Sequence, residues 1–216
     1  NASIFSELGF TIFYYENLTR DQLMKLLREL VTSEYLHRID SFFLCIQTHG
    51  DLLNGHTIME FSDGSREYTD VIVSLFSNIG CPALVEKPKV FFFPFCRGKI
   101  SDKLKNVYLK ELETTETDGF PSRQFLVPTF SDILICYGTI PGFKTHRDVD
   151  FGSWYVRELC KVFAEHACTN HIEELLKLVA MNTMGFKRAE GLVQVASTEN
   201  RGFNSLLFFN PKISDS

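Results

Sequence analysis

Apolar residues fall along this chain in two patterns, short unbroken runs and longer stretches that recur every three or four positions. The runs are residues 42–46 (Phe-Phe-Leu-Cys-Ile), 90–95 (Val-Phe-Phe-Phe-Pro-Phe) and 133–137 (Ile-Leu-Ile-Cys-Tyr). A run with no polar alternation reads as a strand covered on both faces, most often in a parallel sheet flanked by helices. The recurring stretches lie between the runs. Thr19 and Gln22 make a capping box, after which Leu23, Leu26, Leu27 and Leu30 share one helical face. Ile72, Leu75, Phe76 and Ile79 make a second helix closed by Gly80. Trp154, Val156, Leu159, Val162 and Phe163 make a third after Ser153, and Asn170 with Glu173 caps a fourth carrying Ile172, Leu175, Leu176 and Val179.

Three β-rich segments, 10–15, 192–195 and 205–209, are read as further strands, and the turn pairs Asn54-Gly55 and Asp63-Gly64 bracket a small hairpin around 57–61. Strand alternating with helix predicts an α/β fold, with a largely parallel central sheet, right-handed crossovers and helices on both faces. Residues 99–128 break the pattern. They are charged, rich in Thr and without periodicity, and a connection of that length is uncommon in a compact domain unless it has a function.

Composition narrows the classes. A length of 216 residues suits one domain with a sizeable core. No apolar run approaches the ~20 residues of a membrane span. Lys and Arg number 22 against 27 Asp and Glu, and a formal charge of −5 argues against a nucleic-acid partner held by a basic field. The six cysteines include no Cys-x-x-Cys pair, and Cys45, Cys96 and Cys136 lie in or at the end of apolar runs, as reduced thiols of a cytoplasmic protein do. His166, Cys168 and His171 are close in sequence, but their spacing fits no zinc motif, so neither a metal nor another cofactor is expected. The chain opens on Asn1 rather than Met and is expected to be a fragment of a longer protein.

Two of the runs lead into reactive pairs. Residues 90–95 stop at Cys96-Arg97-Gly98, and residues 42–46 lead to His49-Gly50. In open α/β sheets, functional groups gather beyond the carboxyl ends of the strands. If the runs are neighbouring parallel strands, His49 and Cys96 emerge side by side, as a thiol nucleophile and its base require. Alone, either has a blander reading, a core cysteine or a structural histidine; the pairing at two strand ends favours the chemical one.

With these pairs, the segment Tyr137-Gly138-Thr139-Ile140-Pro141-Gly142-Phe143, then Arg147 and Gly152-Ser153-Trp154, the chain resembles the caspases over nearly its whole length, and most of all their insect initiator members. The resemblance implies a caspase-like three-layer fold with a large-subunit part over 1–118, an intersubunit linker at about 99–128 and a small-subunit part over 119–216. An N-terminal recruitment domain and the first segment of the large subunit would lie outside this chain. It implies a cysteine endopeptidase in which Cys96 attacks, His49 handles the proton and the Gly50 N–H helps form an oxyanion hole. Arg147 would grip the substrate carboxylate with its planar fork, beside Thr145, His146 and Trp154. Cleavage would follow Asp, with Glu tolerated. Self-processing of a zymogen would fall at Asp118, with Glu116 second. Implied partners are protein substrates including effector caspases in apoptosis, an activating adaptor scaffold, inhibitor-of-apoptosis proteins and a second copy of the chain.

Three departures stand out. Pro94 replaces the family's usual Gln before the nucleophile, and His146 replaces a Trp. A second carboxylate-binding arginine and the carbonyl that orients the histidine belong to a segment upstream of residue 1. Arg97 is read as supporting loops rather than substrate. The rival reading is a catalytically silent homologue acting as a binding partner; the presence of His49, Gly50, Cys96 and Arg147 together favours an active enzyme.

Overall fold

The computed structural model describes residues 3–101, 128–148, 152–185 and 191–209. In chain order its elements are α1 (Ser3–Glu7), α2 (Arg20–Val31), β1 (Phe42–Cys45), β2 (His49–Leu53), β3 (His56–Glu60), β4 (Arg66–Tyr68), α3 (Thr69–Leu75), β5 (Lys89–Phe93), β6 (Ile133–Tyr137), β7 (Arg147–Asp148), β8 (Gly152–Ser153), α4 (Trp154–His166), α5 (Ile172–Gly185) and β9 (Ser197–Arg201).

The central sheet runs β1-β5-β6-β9. Its first three strands are parallel and β9 is antiparallel to β6. Every residue of β5 and β6 is buried, which is why both read as unbroken apolar runs. Alternate side chains serve opposite faces. Phe91, Phe93, Ile133 and Ile135 pack with Leu23, Met24 and Leu27 of α2 and Ile72 and Val73 of α3. Val90, Phe92, Leu134 and Cys136 pack with Tyr155, Leu159 and Phe163 of α4 and Leu175 and Val179 of α5. The result is three layers, helices on both sides of one largely parallel sheet. The α2 start is the predicted capping box, Thr19 and Gln22 each bonding the other's backbone.

Several expectations are corrected. Residues 10–15 form no strand. Phe10 turns inward against Phe43 and Phe209, while Phe13, Tyr14 and Tyr15 are 64%, 72% and 55% exposed. β-propensity measures fit to a pleated surface between neighbours, and no described strand pairs with this segment. The hairpin is a three-stranded antiparallel sheet, β2-β3-β4, with the expected turns at its corners. α3 stops at Leu75, leaving Ile79 76% exposed. The strand expected at 192–195 lies instead in the polar stretch Ser197–Arg201, and 205–209 is not a strand. As the last strand of the sheet, β9 is largely solvent-facing, so it carries polar residues instead of an apolar run.

Candidate active site

β5 delivers the thiol, since beyond Phe93 the chain passes through Pro94 and buried Phe95 to half-buried Cys96. The histidine arrives by a route the sequence did not suggest. β1 ends at Cys45, and His49 is the first residue of β2, in the smaller sheet, rather than the end of the β1 run. The Thr48 hydroxyl donates to the Glu60 carbonyl, and His49 stands opposite Glu60 in the β2–β3 ladder. The smaller sheet thus fixes the His49-Gly50 corner, and a cavity of about 110 Å³ lined by His49, Asp51, Met59 and Arg66 adjoins it.

Gly50 joins the two halves. A Cβ placed there would lie 2.6 Å from the Cys96 carbonyl oxygen and closer still to the Phe95 ring. Only a residue without a side chain allows the His49-Gly50 backbone to lie against the backbone of Cys96.

The loop beyond Cys96 is bonded to the loop after β6. Arg97 N–H donates to Phe143 O at 2.9 Å and Gly142 N–H to Arg97 O at 2.6 Å; Ile100 N–H reaches Gly142 O at 3.1 Å and Lys144 N–H reaches Ile100 O at 2.8 Å. Gly98, at φ +149°, lies so close to Gly142 that a Cβ would sit 2.5 Å from its Cα. Arg97 supports this junction from behind. Its Nε donates to Thr57 Oγ1 at 2.8 Å and its guanidinium lies 3.7 Å above the Tyr137 ring. Burial pushes the Arg97 pKa down from its ordinary value, a cost that the hydrogen bond and the ring offset.

The same junction brings Thr145, one of the expected substrate-binding residues, to the thiol. The Thr145 hydroxyl is 3.4 Å from Cys96 Sγ. His146 stacks on Trp154, ring centroids 4.7 Å apart. Trp154, only 3% exposed, opens α4 as a packed residue. Arg147 is exposed in β7, paired in register with Ser153 of β8. Asp118 and Glu116 lie outside the described residues.

One positioning residue was missed. Gln194, 1% exposed, accepts from His146 N–H at 2.6 Å and donates to Gly138 O at 2.7 Å, tying the Thr145–Arg147 segment to the end of β6. Its only sequence signal was a polar amide between Val193 and Val195. The other thiols contrast with Cys96. Cys136 is buried in the sheet, and burial pushes its pKa well up, away from the reactive thiolate. Among the described residues no three His, Cys, Asp or Glu side chains group to hold a metal; His166 and His171 instead lie beside Glu165 and Glu174.

A family model described as the caspase domain matches residues 2–201. The chain belongs to the caspase family. Caspases are cysteine peptidases. The chain is 40% identical to caspase Dronc of Drosophila melanogaster over 221 aligned positions, covering 96% of this chain and 49% of Dronc. It therefore spans about half the length of that relative. The crystal structure of the Drosophila initiator caspase Dronc superposes with a TM-score of 0.75 at 35% identity, over 98% of this chain and 72% of that one. Caspase-1 of Spodoptera frugiperda gives a TM-score of 0.80 at 23% identity, over 99% and 79%, a likeness of fold. The three layers described above are thus the caspase fold. Among the described residues no helix is long and apolar enough to cross a membrane.

Proposed function

We propose that this caspase is an initiator-type cysteine endopeptidase that cleaves after Asp, with Glu tolerated. The observation that carries the reading is the packing of Gly50 directly on the Cys96 backbone, which supports a site shared by His49, Gly50 and Cys96. Cys96 as thiolate attacks the peptide carbonyl, and the N–H groups of Gly50 and Cys96 face the oxyanion that forms. His49 gives its proton to the leaving amine, and water then hydrolyses the thioester. Arg147, exposed two residues beyond Thr145, takes the substrate carboxylate in its planar fork. His146 and Trp154 form the adjoining wall. Dronc, the initiator caspase of similar sequence, supports the initiator assignment.

On this reading the chain comprises a large-subunit part to residue 118 and a small-subunit part from 119. It acts in the cytoplasm, matures by its own cleavage at Asp118 with Glu116 as second site, and activates effector caspases in apoptosis. An adaptor scaffold promotes its dimerisation, and inhibitor-of-apoptosis proteins restrain it.

The test is a panel of fluorogenic peptides ending in Asp, Glu or Asn, assayed with the wild type and with Cys96→Ala and His49→Ala. Turnover is expected on Asp, weaker turnover on Glu and none on Asn, with both variants folded and inactive. A folded wild type that cleaves none of the three, or a Cys96→Ala variant with near-normal turnover, would refute the assignment. Incubating the concentrated wild type is expected to yield a new amino terminus at Gly119, absent from Cys96→Ala.

A further inference from the structure

Thr145 is held against the nucleophile from several directions. Its Oγ1 lies 3.4 Å from Cys96 Sγ. Its methyl would stand 3.0 Å from a Cβ on Gly138, so the missing side chain there leaves the space in which the methyl packs. A β-branched residue has few χ1 choices, so a seated methyl fixes the direction of the hydroxyl as well. Just before Thr145, residues 142–144 are joined to 97–100 by four backbone hydrogen bonds. Just after it, Gln194 bonds His146 N–H and Gly138 O while almost wholly buried. These ties hold the backbone on either side of Thr145 and the direction of its hydroxyl.

We propose that Thr145 is a positioning residue for the reaction, its hydroxyl donating a hydrogen bond to the Cys96 sulfur, aiming it and stabilising its thiolate form. A thiolate can only accept, whereas a hydroxyl can turn its hydrogen toward whichever neighbour carries charge. A hydrogen bond made to the charged form favours that form. The role differs from that of a wall lining the substrate cleft, because it acts before any substrate is present. It rests on Cys96 being the nucleophile, as in the function proposed above.

The test follows alkylation of Cys96 by iodoacetamide against pH, with the modified cysteine identified by peptide mass, in the full chain and in Thr145→Val, Thr145→Ser and Thr145→Ala. Valine keeps the shape and removes the hydroxyl; alanine removes it without bulk, should valine impair folding. At neutral pH both are expected to react roughly fivefold more slowly than the wild type, the size of one modest hydrogen bond. The difference should vanish at about pH 10, where an ordinary thiol is ionised. Thr145→Ser should stay within about twofold of the wild type. With peptides ending in Asp, the loss should fall on kcat with KM little changed. Unchanged alkylation profiles in folded Thr145→Val and Thr145→Ala, or a serine variant as slow as valine, would overturn the proposal. Slower alkylation in the variants with no peptide turnover by the wild type would uphold Thr145's role and refute the peptidase reading instead.

Discussion

Gly50 matters through the atom it lacks. A Cβ there would sit 2.6 Å from the Cys96 carbonyl oxygen, a backbone atom that cannot step aside as the end of a flexible side chain could. Gly50→Ala should therefore destabilise the fold by about 1–3 kcal/mol, the range of overpacked sites, and push His49 away from the thiol, with peptidase turnover falling further than stability. Gly64→Ala, with open space around the site at φ +77°, should cost only local strain and leave turnover intact; equal losses in both would show that the Gly50 contact is not specific to the site. Thiol chemistry gives a second check. Brief treatment with iodoacetamide should modify half-buried Cys96 and exposed Cys168 but spare buried Cys136, whose pKa is raised by burial; early modification of Cys136 would contradict its placement in the sheet. At this scale the sequence was informative where a residue type stands out, as with Gly50 and Cys96, whose backbones the fold brings together. Gln194 was not legible, because an amide's role depends on which backbone groups the folded chain brings to it.

The elements were legible in proportion to their burial. β5 and β6 have both faces covered and so announce themselves as unbroken apolar runs, whereas β9 lies at the sheet edge and hides in a polar stretch. Residues 10–15 misled for the converse reason, a strand-like composition with no pairing partner in the described sheet. Energetics follow the same division. Phe91 is fully buried and packs with Phe42, Phe76 and Phe93, so Phe91→Ala should cost about 3–5 kcal/mol. Ile79→Ala, on a residue 76% exposed, should stay within about 0.5 kcal/mol. Chemical denaturation that ranks them equally would argue against Phe91 as a core residue. The head of β5 adds a pH signature. Lys89 is fully buried, its Nζ donating to Leu84 O at 2.8 Å and Lys87 O at 3.1 Å, and burial lowers its pKa. In the pH window below the ordinary lysine value the unfolded chain then binds more protons than the folded one, so this group's contribution to stability rises with pH there. Comparing Lys89→Met with the wild type isolates it: the gap between their pH–stability curves should change through that window, and parallel curves would refute the assignment.

At the scale of the whole molecule, the order β1-β5-β6-β9 pairs no strand of the described residues with the outer edge of β9, its N–H and C=O groups facing outward as another strand would need. A second copy could extend the sheet there about a two-fold axis, and an antiparallel pairing centred on Glu199 would set one Glu199 opposite the other. Arg201 Nε, 2.5 Å from Glu199 Oε1, only partly offsets that repulsion because the guanidinium also serves Asp70 at 2.7 Å. Each copy further carries a formal charge of −5. Self-association should accordingly be weak: a monomer at low micromolar concentration, a dimer when crowded. Salt should tighten it, because like charges on two surfaces are screened beyond roughly 10 Å at 0.1 M. Glu199→Gln should tighten it several-fold at low salt and lose most of that advantage at high salt. Sedimentation of the Cys96→Ala chain, which cannot process itself on the reading above, measures all three without interference from cleavage. A dimer already tight at nanomolar concentration, or one indifferent both to salt and to Glu199→Gln, would exclude this edge as the contact.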